Sequence, residues 1–207
     1  MSRRRPRLDV SPAARLALPA WAGMHLTFDD GPDPDWTPRL LDLLERHGVR
    51  AAFFVLGRAA RRAPALVRRA AAAGHLIGLH GDVHPHPRWC GAKRARREVL
   101  DGHAALADVL GGAPGWFRPP HGVLHPAMAE AAAELGLECV GWTLSAIDWG
   151  PLGRRAWIAR RLARARPGDV VLLHDAPRRL NRPDQGLPAL ADWLARRASA
   201  QAQGAGR

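Results

Sequence analysis

Two adjacent carboxylates, Asp29-Asp30, precede Gly31-Pro32, and a spaced histidine pair, His80 and His84, follows farther along the chain. Beyond them come Arg118-Pro119-Pro120-His121-Gly122, Asp148-Trp149 and His174-Asp175. Two imidazoles and one carboxylate are a common ligand set for a catalytic metal that keeps a position open for water, and Asp30 is the natural carboxylate. Neighbouring acids in a confined site repel unless a cation or an arginine lies close, so Arg118 can neutralise one and a metal the other. His174 ends an apolar run, and Asp148 can orient it as carboxylates commonly orient catalytic imidazoles. Each piece also has a plain reading. Asp29-Asp30 can be a turn or helix cap, and with 10 histidines chance pairs are common, His121 and His125 sharing the same spacing.

The elements that must position these groups follow from the periodicity. Apolar β-type runs are read at Met24–Phe28, Ala51–Leu56, His75–Leu79, from Trp116-Phe117 into Arg118, Leu137–Thr143 and Asp169–Leu173. Between and after them, helical patterns are read at Thr37–His47, Ala63–Ala73, Lys93–Leu110, Pro126–Leu135, Arg154–Ala165 and Leu187–Ala198. Pro64 suits a first helical turn and Gly111-Gly112 a helix stop. Strand and helix in alternation predict an α/β fold with a largely parallel sheet, either open and doubly wound or closed as a barrel. In both, ligands bind beyond the carboxyl ends of the strands. Five of the six predicted strands end in ionisable groups, while their bodies (LTF, FFV, LIG, VVLL) are apolar. The first strand leads into two acids instead of a glycine-rich phosphate turn, which disfavours nucleotide binding.

Composition bounds the rest. The chain has 207 residues, 47% hydrophobic and 24% charged, and its length fits one compact domain. Residues 1–20 read as an Arg/Pro-rich arm, 21–200 as the domain and 201–207 as a flexible tail. No apolar run reaches the ~18–20 residues that span a bilayer. The amino terminus has no apolar core of about 7–15 residues, so the expectation is a cytoplasmic protein. Cys90 and Cys139, the only two cysteines, are too few for a disulfide scaffold and read as buried or idle thiols. The net charge of +12 raises the possibility of a nucleic-acid or anionic-polymer binder. Lys93 is the only lysine and Asn181 the only asparagine, a skew spread along the whole chain. Such a skew raises the charge without building a binding face, so no specific nucleic-acid partner is expected. Trp21, Trp116, Trp142 and Trp157 read as core fillers, whereas Trp36 and Trp89 either stack on a ligand or pack their loops.

Thr27-Phe28-Asp29-Asp30-Gly31-Pro32 reproduces the TFDDGP motif of the polysaccharide deacetylases, the NodB-homology or family 4 carbohydrate esterase domain. Four further segments resemble that family's motifs in order. His80-Gly81-Asp82-Val83-His84 resembles its His-Ser/Thr-x-x-His, and Arg118 to Gly122 its Arg-x-Pro-Tyr/Phe-Gly. Asp148-Trp149 resembles the end of Asp-x-x-Asp-Trp, and Leu172-Leu173-His174 resembles Leu-x-His. The resemblance covers about Met24 to Asp175 and implies a distorted (β/α) barrel, TIM-like, with fewer than eight regular strands. It implies a divalent metal, often zinc, with cobalt or manganese as alternatives, held by Asp30, His80 and His84. Asp29 would then be the general base, held by Arg118, and His174 the general acid, paired with Asp148. The backbone N–H of His121 would help stabilise the oxyanion, and Trp149 and Leu172 would wall the acetyl pocket. The implied reaction is removal of N-acetyl groups from N-acetylglucosamine-containing glycans; a deacylase of a small N-acyl amino sugar or metabolite is the alternative. Gly81, His121 and Ser145 depart from the family pattern, and Gly81, in place of a hydroxyl residue, predicts a looser metal-binding loop.

Overall fold

The computed structural model describes residues 25–86, 89–178 and 180–204. Seven parallel strands form one sheet: β1 (His25–Asp29), β2 (Ala52–Val55), β3 (Leu76–Leu79), β4 (Trp116–Phe117), β5 (Glu138–Cys139), β6 (Leu144–Ser145) and β7 (Val170–His174). Their order is β5-β4-β3-β2-β1-β7-β6. Around them lie α1 (Thr37–Arg46), α2 (Gly57–Arg62), α3 (Pro64–Ala72), α4 (Ala92–Leu110), α5 (Pro126–Glu134), α6 (Arg155–Leu162) and α7 (Pro183–Gly204).

The choice between an open sheet and a barrel is decided by one short connection. Strands β5 and β6 lie at opposite edges, yet only residues 140–143 join them. In a flat sheet, edges six strand spacings apart would be about 29 Å from each other. Five residue steps reach at most about 18 Å. The sheet must therefore curl until its edges approach, giving a distorted (β/α) half-barrel with fewer than eight regular strands. The period of two sorts its faces. Leu26, Phe28, Phe53, Val55, Val171 and Leu173 pack outward among the helices, while Ala52, Phe54, Leu76, Val140 and Val170 form a smaller cluster inside the curl. Burial on both faces explains why the central strands read as unbroken apolar runs.

Several expectations need correction. Of the strand expected at Leu137–Thr143 only Glu138–Cys139 joins the sheet, because the Val140 and Gly141 carbonyls accept from Arg118, and the next strand, Leu144–Ser145, begins beyond it on the opposite edge. Helix α2 escaped notice, being only six residues. The last helix, expected at Leu187–Ala198, is longer: α7 starts at Pro183, in the first turn that proline suits, and extends to Gly204. The expected arm 1–20 and Trp21 lie outside the described residues. Two tryptophans expected in the core are partly exposed. Trp142 lies on the crossing between the sheet edges, and Trp157 lies on α6 under the guanidinium of Arg160. Cys90 is buried and Cys139 half-buried, both as free thiols. Among the described residues, no helix is long and apolar enough to cross a membrane.

Candidate active site

Parallel strands deliver their carboxyl ends to one rim, and the polar residues noted in the sequence stand there. Asp29 closes β1 beside His174 of β7, the two being ladder partners. Thr27 and Leu172 pair two residues earlier in register. Alternation therefore aims Thr27, Asp29, Leu172 and His174 at the same inner face. Asp30 follows with φ of 80°, a left-handed conformation that turns its side chain toward the same opening.

Arg118 is completely buried, with no solvent exposure. Its Nη1 donates to Asp29 Oδ1 at 2.7 Å and to the Thr27 hydroxyl at 2.8 Å. Its Nη2 donates to the Gly141 carbonyl at 2.8 Å, its Nε to Val140 at 3.4 Å, and its plane lies 4.0 Å from the Phe54 ring centre. The Thr27 hydroxyl in turn donates to the Val171 carbonyl at 2.9 Å. One carboxylate oxygen of Asp29 is thus fixed. The other, Oδ2, faces His80 Nε2 at 3.6 Å.

Asp30, His80 and His84 offer three ligand atoms within 4.8 Å of one another. His80 Nδ1 is 2.7 Å from the Arg118 carbonyl, which can only accept, so Nδ1 carries the hydrogen and the Nε2 lone pair faces the site. His84 Nε2 lies 3.4 Å from Asp30 Oδ1 and His80 Nε2 3.9 Å from it. Burial lowers the His84 pKa to about 3, helped by His80 and opposed by Asp30, so the ring is neutral. For Asp30, burial works upward, but His80, His84, His174 and Arg178 together hold its carboxyl below the usual range. Asn181 Nδ2 donates to Asp30 Oδ2 at 2.7 Å, while the buried Oδ1 makes no hydrogen bond among the described residues. That Oδ1 has the Arg178 Nε 3.7 Å away and faces the neutral His84 ring, an arrangement that a cation between the imidazoles and the carboxylate would complete. Ligands about 2.1 Å from a tetrahedral ion stand about 3.4 Å apart, so these residues fit one.

Opposite this group, His174 Nδ1 lies 2.8 Å from Asp148 Oδ1, and the His174 backbone N–H donates to Asp148 Oδ2 at 2.7 Å. Burial alone would lower the imidazole pKa; the fully buried Asp148, joined by Asp30 and Asp29, raises it instead to about 9. Trp149 is 42% exposed at the mouth and Leu172 is buried. His121 is exposed, with φ of 59°, and its ring meets His84 at 4.3 Å between centroids. The N–H groups of Gly122 and Val123 are taken by the Pro119 and Pro120 carbonyls. The His121 N–H bonds to no group among the described residues. Trp36 lines a small cavity with His174 and Asp175, and Trp89 is 85% exposed beside His86.

Reasoning from sequence assigned no part to Asn181 or Asp175. Asn181 arrives from 151 residues away, on a loop zipped to the 148–150 segment by bonds from Gly150 N–H to Leu180 and Arg182 N–H to Asp148. Its only sequence signal is that it is the sole asparagine. Asp175 is fully enclosed beneath the Asp30 turn and accepts from the Thr37 hydroxyl at 2.6 Å. Burial pushes its carboxyl up to about 7, against the Thr37 bond and with Asp30 adding to the rise. A β-carbon at Gly31 would collide with that carboxyl. Gly31→Ala is expected to lower stability by about 1–3 kcal/mol in urea denaturation, the usual cost of forcing a methyl into a packed site.

The fold and the rim residues together define a (β/α)-barrel protein built around an Asp–His–His group able to hold a metal. The model of the polysaccharide deacetylase family matches residues 22–140. A chitooligosaccharide deacetylase of Sinorhizobium fredii is 39% identical over 153 residues, 73% of this chain and 71% of that one. A peptidoglycan-N-acetylglucosamine deacetylase of Bacillus cereus is 35% identical over 156 residues, 75% of this chain but 57% of that longer protein. The structure of a family 4 carbohydrate esterase from Streptomyces lividans, solved with acetate, superimposes with a TM-score of 0.73 and 33% identity, covering 85% of this chain and 89% of that one. The chain belongs to the polysaccharide deacetylase family.

Proposed function

We propose that this chain is a divalent-metal-dependent hydrolase that removes N-acetyl groups from N-acetylglucosamine-containing glycans, with zinc as the metal and cobalt or manganese as substitutes. The observation that carries the reading is the convergence of Asp30, His80 and His84 within 4.8 Å, between an arginine-anchored carboxylate and a carboxylate-bound imidazole. The names of the Sinorhizobium and Bacillus relatives support the substrate class.

In this reading Asp30, His80 and His84 hold the cation. A divalent ion held there would supply Lewis acidity toward a carbonyl and would lower the pKa of water to about 7. Asp29 accepts the proton from the attacking water through Oδ2, since Arg118 occupies Oδ1. The His121 N–H donates to the oxyanion that develops as the carbonyl becomes tetrahedral, a contribution of about 3 kcal/mol. His174, protonated and held by Asp148, gives its proton to the sugar nitrogen as the C–N bond breaks. Acetate and a free amine leave. Leu172 and Trp149 wall the space for the acetyl methyl.

Acetate release from chitooligosaccharides by the zinc-loaded protein tests the reaction; no release from these or from a broader N-acetyl panel would end the proposal. His80→Ala is expected to lose bound metal by elemental analysis, and unchanged content would refute the ligand assignment. The acid adds a pH signature. A raised pKa keeps His174 protonated below about 9 and deprotonates it as pH rises through that value, so kcat should fall on that alkaline limb. Asp148 touches the ring, so Asp148→Asn should move the limb down toward the ordinary imidazole value of about 6.5. A limb that stays in place would take the acid role from His174.

A further inference from the structure

We propose that Glu98, on the buried face of α4, is the positioning residue that presents His80 and His84, and so sets how tightly the Asp30–His80–His84 group holds its cation. The inference rests on the metal-centre reading above. Glu98 Oε2 accepts three successive backbone N–H bonds, from Asp82 at 3.0 Å, Val83 at 2.9 Å and His84 at 3.1 Å. Three consecutive amides aimed at one point form a nest that binds an anion, and here the anion is a side chain from the protein's own helix. The last of the three donors belongs to His84 itself.

The loop is gripped from its other side as well. The N–H groups of Gly57 and Arg58, at the start of α2, donate to the Gly81 and Asp82 carbonyls at 2.9 and 3.1 Å. Two glycines permit the close approach of α4. Gly81 has φ of 89°, and a β-carbon there would stand 3.1 Å from Glu98 Oε2. At Gly102, one turn after Glu98, a β-carbon would come within 2.8 Å of the Gly81 carbonyl. Gly81 stands where the family pattern has Ser or Thr. The loop that the missing hydroxyl was expected to leave slack is instead fastened by a carboxylate.

The placement of Glu98 argues for a task beyond packing. It lies on the stripe of Ala95, Val99, Gly102 and Leu106, all buried, and is itself 4% exposed. An apolar side chain would fill that position without desolvating a charge, whereas a buried carboxylate is tolerated only when bonded. Its bonds go to the loop that carries the two histidines.

Cobalt(II) is the probe: titration gives its dissociation constant, and its visible absorption reports ligand geometry. Glu98→Ala is expected to bind cobalt about 10- to 100-fold more weakly, with a weakened band, as when an outer partner of a metal ligand is lost. Glu98→Gln keeps an oxygen at the same reach and should recover most of the affinity, whereas Glu98→Asp is one methylene short and should not. All measurements are made well below each variant's melting temperature, and if the alanine variant does not fold, the contrast between Gln and Asp carries the test. Wild-type affinity in Glu98→Ala, or in Glu98→Asp, overturns this inference alone, provided His80→Ala has lost the ion. A wild-type protein that binds no cobalt overturns the metal-centre reading and this inference together.

Discussion

Asp29→Asn is expected to lower kcat by about 10²–10⁴-fold, the usual contribution of a positioned general base, while the metal content stays at the wild-type level. The two outcomes separate because Asp29 and Asp30 are neighbours with different tasks. Asp30 points an unbonded oxygen at His84, whereas Asp29 is tied to Arg118 and keeps only Oδ2 toward the opening. The amide that replaces it still accepts from Arg118, but it cannot take a proton. It also leaves the buried guanidinium without its counter-charge, so some stability is lost, toward the low end of the ~3–5 kcal/mol typical of a broken buried pair. The assay is therefore run well below the melting temperature, with metal measured on the same sample. Retention of more than a tenth of the activity would remove Asp29 from the base role. Loss of metal along with activity would make it a ligand instead.

Arg118→Met is expected to give the largest loss of stability, about 3–5 kcal/mol from the buried pair, with more from the two carbonyls it serves. Methionine keeps an unbranched apolar stem against Phe54, so the substitution removes donors more than volume. What remains is an unpaired Asp29 carboxylate, and the carbonyls of Val140 and Gly141 lose the donors that hold the crossing between the two sheet edges. Against a total stability of about 5–15 kcal/mol for a typical domain, that places the variant near the folding threshold. Arg118→Lys should fall between it and the wild type, because one ammonium cannot reach Asp29 and Gly141 together as the guanidinium fork does. Urea denaturation of the three proteins checks the order. An Arg118→Met unfolding free energy within about 1 kcal/mol of wild type, near the scale of a surface substitution, would show that the arginine is not what closes this corner of the barrel.

Much of this centre is legible in the chain because a strand's end is a local feature. An apolar run stops, an ionisable residue follows, and in a parallel sheet every such end lies on one rim. That is why Asp29, Asp30, His80, Arg118 and His174 can be picked out, and why the alternation points to an α/β barrel or doubly wound sheet. Side-chain periodicity says nothing, however, about where backbone carbonyls go. The segment 137–143 reads as a single strand because its side chains suit one, yet the carbonyls at 140 and 141 turn toward Arg118 and end the strand at Cys139. Glu98 left a faint trace, a carboxylate on an otherwise apolar stripe of α4, but the three amides it serves lie 14–16 residues away on another element.

The sequence by itself determined which chemical groups the rim would carry, since residue identity and the strand period place them without knowledge of any partner. Tertiary structure alone decided how they are held. Whether the sheet curls, which oxygen of Asp30 Asn181 takes, and what steadies the two histidines depend on contacts between segments as far as 151 residues apart. Those contacts are chosen by the packing of the whole chain, and each polar group finds its partner only after the apolar faces have met.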